Sequence, residues 1–177
     1  MDIVLQQLGN VKGIIIDVRD NTGGSTQNIE NIASRFTNHT VLTQYWLYKS
    51  GPGHDQFSRP EAHYLNPGGA KQFTGNVVVL TNRKCFSACN DFVCIMKALP
   101  NVITIGDTTG GGGGLPFNSE LPNGWQYHFS STMTLTADGF NIEAGVPPDF
   151  QLNMSAADKL IGKDDILEYA LKLLKNK

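Results

Sequence analysis

The stretch "NVVVLTNRKCFSACNDFVCIMKALP" (residues 76–100) changes character halfway along. Residues 76–82 are β-branched and apolar without alternation, the pattern of a strand buried on both faces of a parallel sheet. From residue 88 the apolar positions Phe92, Val93, Ile95, Met96 and Leu99 recur at helical spacing, and Pro100 stops the run. Ser87 stands at the junction. A serine there is either an ordinary helix cap or a nucleophile held at the end of a strand. In the second case the Ala88 amide and the positive end of the helix face any oxyanion formed on it.

Two further stretches repeat the strand–turn pattern. "GIIIDV" (13–18) is a second buried strand, followed by the turn "RDNTGGS" and a helix over 26–37 that carries Ile29, Ile32, Ala33 and Phe36. Paired glycines let backbone amides approach a ligand, so Gly23 or Gly24 is the candidate for a second oxyanion donor; a turn needing positive φ is the plainer reading. "NVITIGD" (101–107) is a third buried strand, followed by "TTGGGGG". That loop matches G-x-G-x-x-G trivially and lacks the Gly-Lys-Ser/Thr of a phosphate-binding loop. Its glycines suit a close-passing substrate backbone or a rim that must flex.

The remaining elements are peripheral. Residues 2–8 predict the last turns of a helix, with Ile3, Val4 and Leu8 on one side and Gly9 ending it. Residues 41–48 predict a strand, and 50–73, rich in glycine and proline, an irregular loop or lid. Residues 124–140 alternate about Ala137-Asp138-Gly139 and predict a hairpin. A closing helix is broken near Gly162 and recapped by Asp164. Together these predict one α/β domain over residues 1–177. In "NIEAGVPPDF" (141–150), Glu143 is either an exposed strand-edge carboxylate or the acid that orients a catalytic histidine.

Composition excludes several functions. A formal net charge of −2 lacks the basic footprint of nucleic-acid binding. No apolar run reaches the roughly 18 residues of a membrane span. Cys85, Cys89 and Cys94 lack a second ligand pair at metal spacing, so they read as small core residues and no metal is expected. No cofactor is implied.

In order, "GIIIDVRDNTGG", "VVVLTNRKCFSACNDF", "VITIGDTTGGGGG" and "IEAGVPPD" resemble the protease core of the C-terminal processing (tail-specific) peptidases. The branch most similar is the one containing tricorn and the interphotoreceptor retinoid-binding protein, and the resemblance spans about residues 10–150. It implies a Clp protease/crotonase-like α/β spiral with a peripheral hairpin and C-terminal helix. It also implies a serine endopeptidase acting on peptides or proteins through an acyl-enzyme on Ser87. Ala88 and a glycine of the Gly23-Gly24 pair match the oxyanion hole, and Glu143 matches the triad acid. Cys89 and Asn90 replace the family's Ser and Glu after the nucleophile.

Two departures matter. The lysine of the Lys-dependent branch, expected near Gly112, is absent. The histidine base of the tricorn-like branch lies upstream of the first strand, where these ten residues have no histidine. The chain therefore reads as the C-terminal core of a longer, exported cell-envelope protein, incomplete or inactive alone. Of His39, His54, His63 and His128, only His128 is a candidate substitute base. The alternatives are a non-catalytic module binding an apolar ligand or peptide on the same fold, and acyl-CoA chemistry, for which no basic cluster is present. Nothing in the residues decides between a monomer and a homo-oligomer.

Overall fold

The computed structural model describes residues 1–155, 158 and 160–176. Its centre is a four-stranded parallel sheet in the order β1-β4-β5-β9: β1 (Gly13–Asp17), β4 (Asn76–Thr81), β5 (Val102–Gly106) and β9 (Phe150–Gln151). The apolar run of β4 lacks alternation because both faces are covered. Val77 and Val79 pack with α2 (Thr26–Ala33) and α3 (Ala88–Lys97) on one side. Val78 and Leu80 pack with α4 (Asp165–Lys175) on the other. Val78 and Val79 are both fully buried, and each such side chain contributes roughly 1.5–3 kcal/mol relative to exposure. The expected spiral α/β core is thus present, with every strand of this sheet feeding its carboxyl end toward one rim.

A second, antiparallel sheet of order β3-β2-β8 flanks α3: β2 (Val41–Tyr48), β3 (Glu61–Leu65) and β8 (Thr132–Thr136). This corrects the reading of residues 50–73 as an irregular loop or lid. Pro60 and Pro67 bracket β3 rather than interrupt it, and between them the ladder to β2 forms with one register shift, between Leu42 and Gln44.

The hairpin also differs from expectation. β7 (Gln126–Ser130) pairs with β6 (Pro116–Glu120) around the turn Leu121–Trp125, while β8 joins β2. The Pro122-Asn123-Gly124 signal sets this turn. Ala137-Asp138-Gly139 does form a tight turn after β8, but only the bridge Leu135–Asn141 continues beyond it. In α1 (Asp2–Leu8) it is Leu5 that is buried, while Ile3, Val4 and Leu8 stay exposed. Asp2 ties α1 to Arg35 at 2.6 Å.

The C-terminal helix is recapped as expected. The Asp164 carboxylate accepts the Leu167 amide at 3.0 Å. The same carboxylate binds Arg19, which also chelates Asp17, so α4 is locked to the end of β1. The predicted helical residues 156, 157, 159 and 177 lie outside the described set.

Candidate active site

Ser87 is set apart first by its backbone. It has φ 56° and ψ −126°, one of two non-glycine residues with positive φ among the described residues. An L-residue in that region is strained by roughly 1–3 kcal/mol and is held there only by its surroundings. The surroundings are visible. The Ser87 amide donates to Gly111 O at 2.9 Å, and the Phe86 amide to Asn21 O at 3.1 Å. The Cys85 thiol, fully buried, reaches Val18 O at 3.0 Å. The elbow is therefore clamped from the loops after β1 and after β5. Although Ser87 precedes α3, its hydroxyl makes no capping hydrogen bond. The plain helix-cap reading does not describe it.

Gly23 lies directly beneath. A Cβ on Gly23 would sit 2.6 Å from Phe86 O, 2.9 Å from Ala88 N and 3.0 Å from Ser87 Cβ. Covalent geometry then keeps the Gly23 and Ala88 nitrogens within about 5.4 Å. The Gly23 amide, however, donates to Asn21 Oδ1 at 2.9 Å. Among the described residues the amides of Gly24 and Ala88 donate to nothing. Both residues line one cavity of about 270 Å³ beside Ser87, whose walls include the apolar Ile16, Val18, Ile29 and Phe92 and the polar Asn21, Ser25 and Asn28. Two unpaired donors at the rim of an apolar cavity, next to a strained serine, can bind a carbonyl oxygen while a side chain fills the cavity.

The glycine loop after β5 neither flexes freely nor stands open. A Cβ on Gly111 would meet Glu143 O at 2.1 Å, and the Gly112 amide donates to Glu143 O at 3.0 Å. The loop is wedged between the Ser87 elbow and the 141–146 segment. Glycine is required there for close backbone approach. Glu143 is thereby brought to the Ser87 end of the sheet, exposed, with Ser130 donating to Oε1 at 3.3 Å.

Asn90, not singled out as a ligand of anything in the sequence, holds this arrangement together. It is fully buried, donates to Ile142 O at 3.2 Å and accepts from Thr109 Oγ1 at 2.5 Å. A polar residue on the apolar face of a helix was the signal that could have revealed it.

No histidine joins the site by a hydrogen bond. His54 pairs with Asp55 and His39 with Asn38. His63 stacks on Trp46 at 4.1 Å on β3, not in a lid. His128 lies exposed on β7, on the same strand face as Ser130 but bonded to neither Ser87 nor Glu143. The three cysteines are buried, and burial pushes the Cys94 thiol up to about 12. They are small core residues, as expected. Among the described residues no helix is long and apolar enough to cross a membrane.

A core of this shape, with a strained serine between a parallel strand and a helix, defines a class of serine hydrolase folds, and comparison with known proteins narrows it. Residues 1–152 match the family model for peptidase family S41, and the chain belongs to that family. A solved structure described as a peptidase from Parabacteroides merdae is 45% identical over 98% of this chain and 55% of its own, with a TM-score of 0.93. Mature CPAF in complex with lactacystin is 18% identical over 98% of this chain and 45% of its own, with a TM-score of 0.84. The photosystem II D1 C-terminal processing protease shares the fold at a TM-score of 0.66 and 22% identity, over 85% of this chain and 36% of its own. The chain thus spans about half the length of the first two of these structures.

Proposed function

We propose that this chain carries the nucleophile, oxyanion hole and acid of a serine endopeptidase that cleaves peptide bonds through an acyl-enzyme on Ser87. The observation that supports it most is the strained Ser87 backbone directly before Ala88, with the Ala88 and Gly24 amides lining one cavity and finding no hydrogen-bond partner among the described residues. In this reading the Ser87 oxygen attacks the scissile carbonyl, and its proton passes to a base. The tetrahedral oxyanion is held by Ala88 N–H and Gly24 N–H, while Gly23 serves as the packing platform beneath them. The cavity walled by Ile16, Val18, Ile29 and Phe92 takes an apolar side chain next to the cleaved bond.

The base is assigned to a histidine outside residues 1–177, since none of the four present hydrogen-bonds to Ser87. Glu143 is assigned to orient that histidine; its carboxylate is exposed and accepts a hydrogen bond from Ser130. Serine without a base is a weak nucleophile. The 177-residue chain should therefore react only slowly with a fluorophosphonate probe, whereas the complete protein should label at Ser87 and lose labelling in Ser87→Ala. Rapid labelling of the chain alone would move the base to His128. A complete protein that does not label at Ser87 would remove the peptidase reading and leave the binding-module alternative. The placement of the parent protein in the cell envelope belongs to the same proposal and rests on family resemblance.

A further inference from the structure

The hairpin of β6 and β7 stands off the rest of the domain. Every residue of β7 is exposed, and so is every residue of β6 except Ser119. Both strands nonetheless alternate. Phe117 lies opposite Phe129 and Ser119 opposite Tyr127, and across the turn the Leu121 amide donates to Trp125 O at 2.8 Å. Alternate residues share a face, so Phe117, Leu121, Trp125, Tyr127 and Phe129 all lie on one side. Asn118, Glu120, Gln126, His128 and Ser130 lie on the other. Such alternation marks a sheet with one face in water and the other covered. The polar face has its water; nothing among the described residues buries the aromatic one.

The aromatic face is already ordered. Phe117 and Phe129 pack with ring centroids 5.4 Å apart, and Tyr127 and Phe129 stack at 6.3 Å with an interplanar angle of 17°. Rings held by one another lose little freedom when a partner settles on them. Trp125 is 71% exposed, and the other four residues of the face between 43% and 53%. At roughly 200 Å² for a whole aromatic side chain, the face leaves on the order of 500 Å² of apolar surface in water. A two-stranded hairpin without cover is marginal; a further apolar layer is what makes it persist.

Charge and area constrain what supplies that layer. From Leu115 to Ser131 there is no lysine, arginine or aspartate, and the one glutamate, Glu120, lies on the opposite face. A charged partner finds no counter-charge there. An anionic bilayer finds none of the lysines and arginines that interfacial segments present to it. A second copy of the same face fits. Two-fold pairing lays aromatic on aromatic and sets no like charges together. Two such faces remove on the order of 1,000 Å² of apolar surface, the apolar share of a standard interface of about 1,600 Å². The product is a two-layer, four-stranded sandwich in which each hairpin covers the other.

We propose that the aromatic face of the β6–β7 hairpin, centred on Phe117, Tyr127 and Phe129, is a homodimer interface through which two copies of this chain pair about a two-fold axis. The inference goes beyond the peptidase reading and does not rest on it.

The test is sedimentation equilibrium of the 177-residue chain over a dilution series, repeated on the complete protein. Both should be dimers at about 100 μM, since interfaces of this size hold at micromolar concentration or tighter. Tyr127→Lys sets two like charges against each other within the pair and should weaken association at least about thirtyfold. Trp125→Ser removes apolar area without adding charge and should weaken it too, which keeps the test open if the first variant folds poorly. Gln126→Lys adds the same charge to the opposite face and should change the dissociation constant by less than about twofold. Monomers at that concentration, growth past the dimer, or Tyr127→Lys and Gln126→Lys behaving alike would each overturn the proposal. So would a chain that dimerises while the complete protein stays monomeric, since the face then packs against the rest of that protein. Monomers that float with phosphatidylcholine vesicles would overturn it in favour of a membrane.

Discussion

Gly23 packs against the Ser87 Cβ and the flanking Phe86 and Ala88 backbone across the junctions of two different strands. The space where a Gly23 Cβ would stand is already occupied by Phe86 O at 2.6 Å and Ser87 Cβ at 3.0 Å. Neither neighbour is the far end of a flexible side chain. With φ at +101° the position is also one that L-residues avoid. Gly23→Ala should therefore destabilise the chain by about 2–5 kcal/mol, backbone strain and overpacking together. Gly24→Ala has open space around it and should lose only the smaller conformational part, about 1–3 kcal/mol. Urea unfolding of both variants checks the ranking; equal losses would separate Gly23 from the elbow.

Ser87 itself should cost stability. Ser87→Gly relieves the positive-φ strain, and after the extra entropy of an unfolded glycine a net gain of about 1 kcal/mol is expected. Ser87→Ala keeps the strain and should stay within about 0.5 kcal/mol of the parent. If urea midpoints place the glycine variant below the alanine variant, the elbow is not strained.

Burial pushes the Asp91 carboxyl up to about 7, against the opposing effect of the nearby Gln44 amide, and the charge of Glu143 adds to the rise. A carboxyl whose folded pKa is raised binds more protons folded than unfolded between about pH 4 and pH 7, so stability falls as pH rises through that window. Asp91→Asn removes the penalty. It should stabilise the chain at pH 8 by up to about 4 kcal/mol, on the order of 1.4 kcal/mol per pKa unit, and have little effect near pH 4. Thermal melts of both proteins across this range make the check, and a pH-independent difference would contradict it.

Asp149 acts in the opposite sense. Burial alone would raise its pKa, but Lys97 at 2.7 Å and the Thr104 amide and hydroxyl at 2.8 and 2.9 Å hold it below the ordinary carboxylate value. Its contribution is present above the unfolded pKa of about 3.9 and is lost as pH falls through the lower folded value. Asp149→Asn should thus narrow its deficit against the parent as melts are taken toward pH 2. A deficit that stays constant from neutral pH to acid would show that the carboxylate is not preferentially stabilised in the fold.

In the complete protein, Glu143→Gln should lower kcat far more than it changes KM, by as much as on the order of 10⁴, because the carboxylate matters chiefly while an imidazolium exists. Ser130→Ala, which removes the 3.3 Å bond to Oε1, should lower kcat by about several-fold. A change under about threefold for Glu143→Gln would return that residue to the surface.

The core strands, the helices around Ser87 and the recapping by Asp164 were legible in the residues, because each rests on local patterns: unalternated β-branched runs, 3.6-residue periodicity, a capping carboxylate. Partnership of strands was not. Val41–Tyr48 reads as a strand, but only non-local pairing puts it in a separate antiparallel sheet with Glu61–Leu65 and Thr132–Thr136. The same holds for Pro116–Glu120, whose partner displaced the expected hairpin.

At the site, the sequence by itself determined which residue types follow the parallel strands, namely Ser87, the paired glycines and the glycine run, and placed Glu143 in the segment ahead of β9. Tertiary structure decided what each does there. It wedged Gly111 against Glu143, buried Asn90 as a clamp and gathered Gln44, His63 and Asp91 around one cavity. Those outcomes turn on hydrogen-bond partners and contacts up to 52 residues apart in the chain, such as Asn90 to Ile142. Local propensity carries no information about such partners; close packing of distant segments selects them.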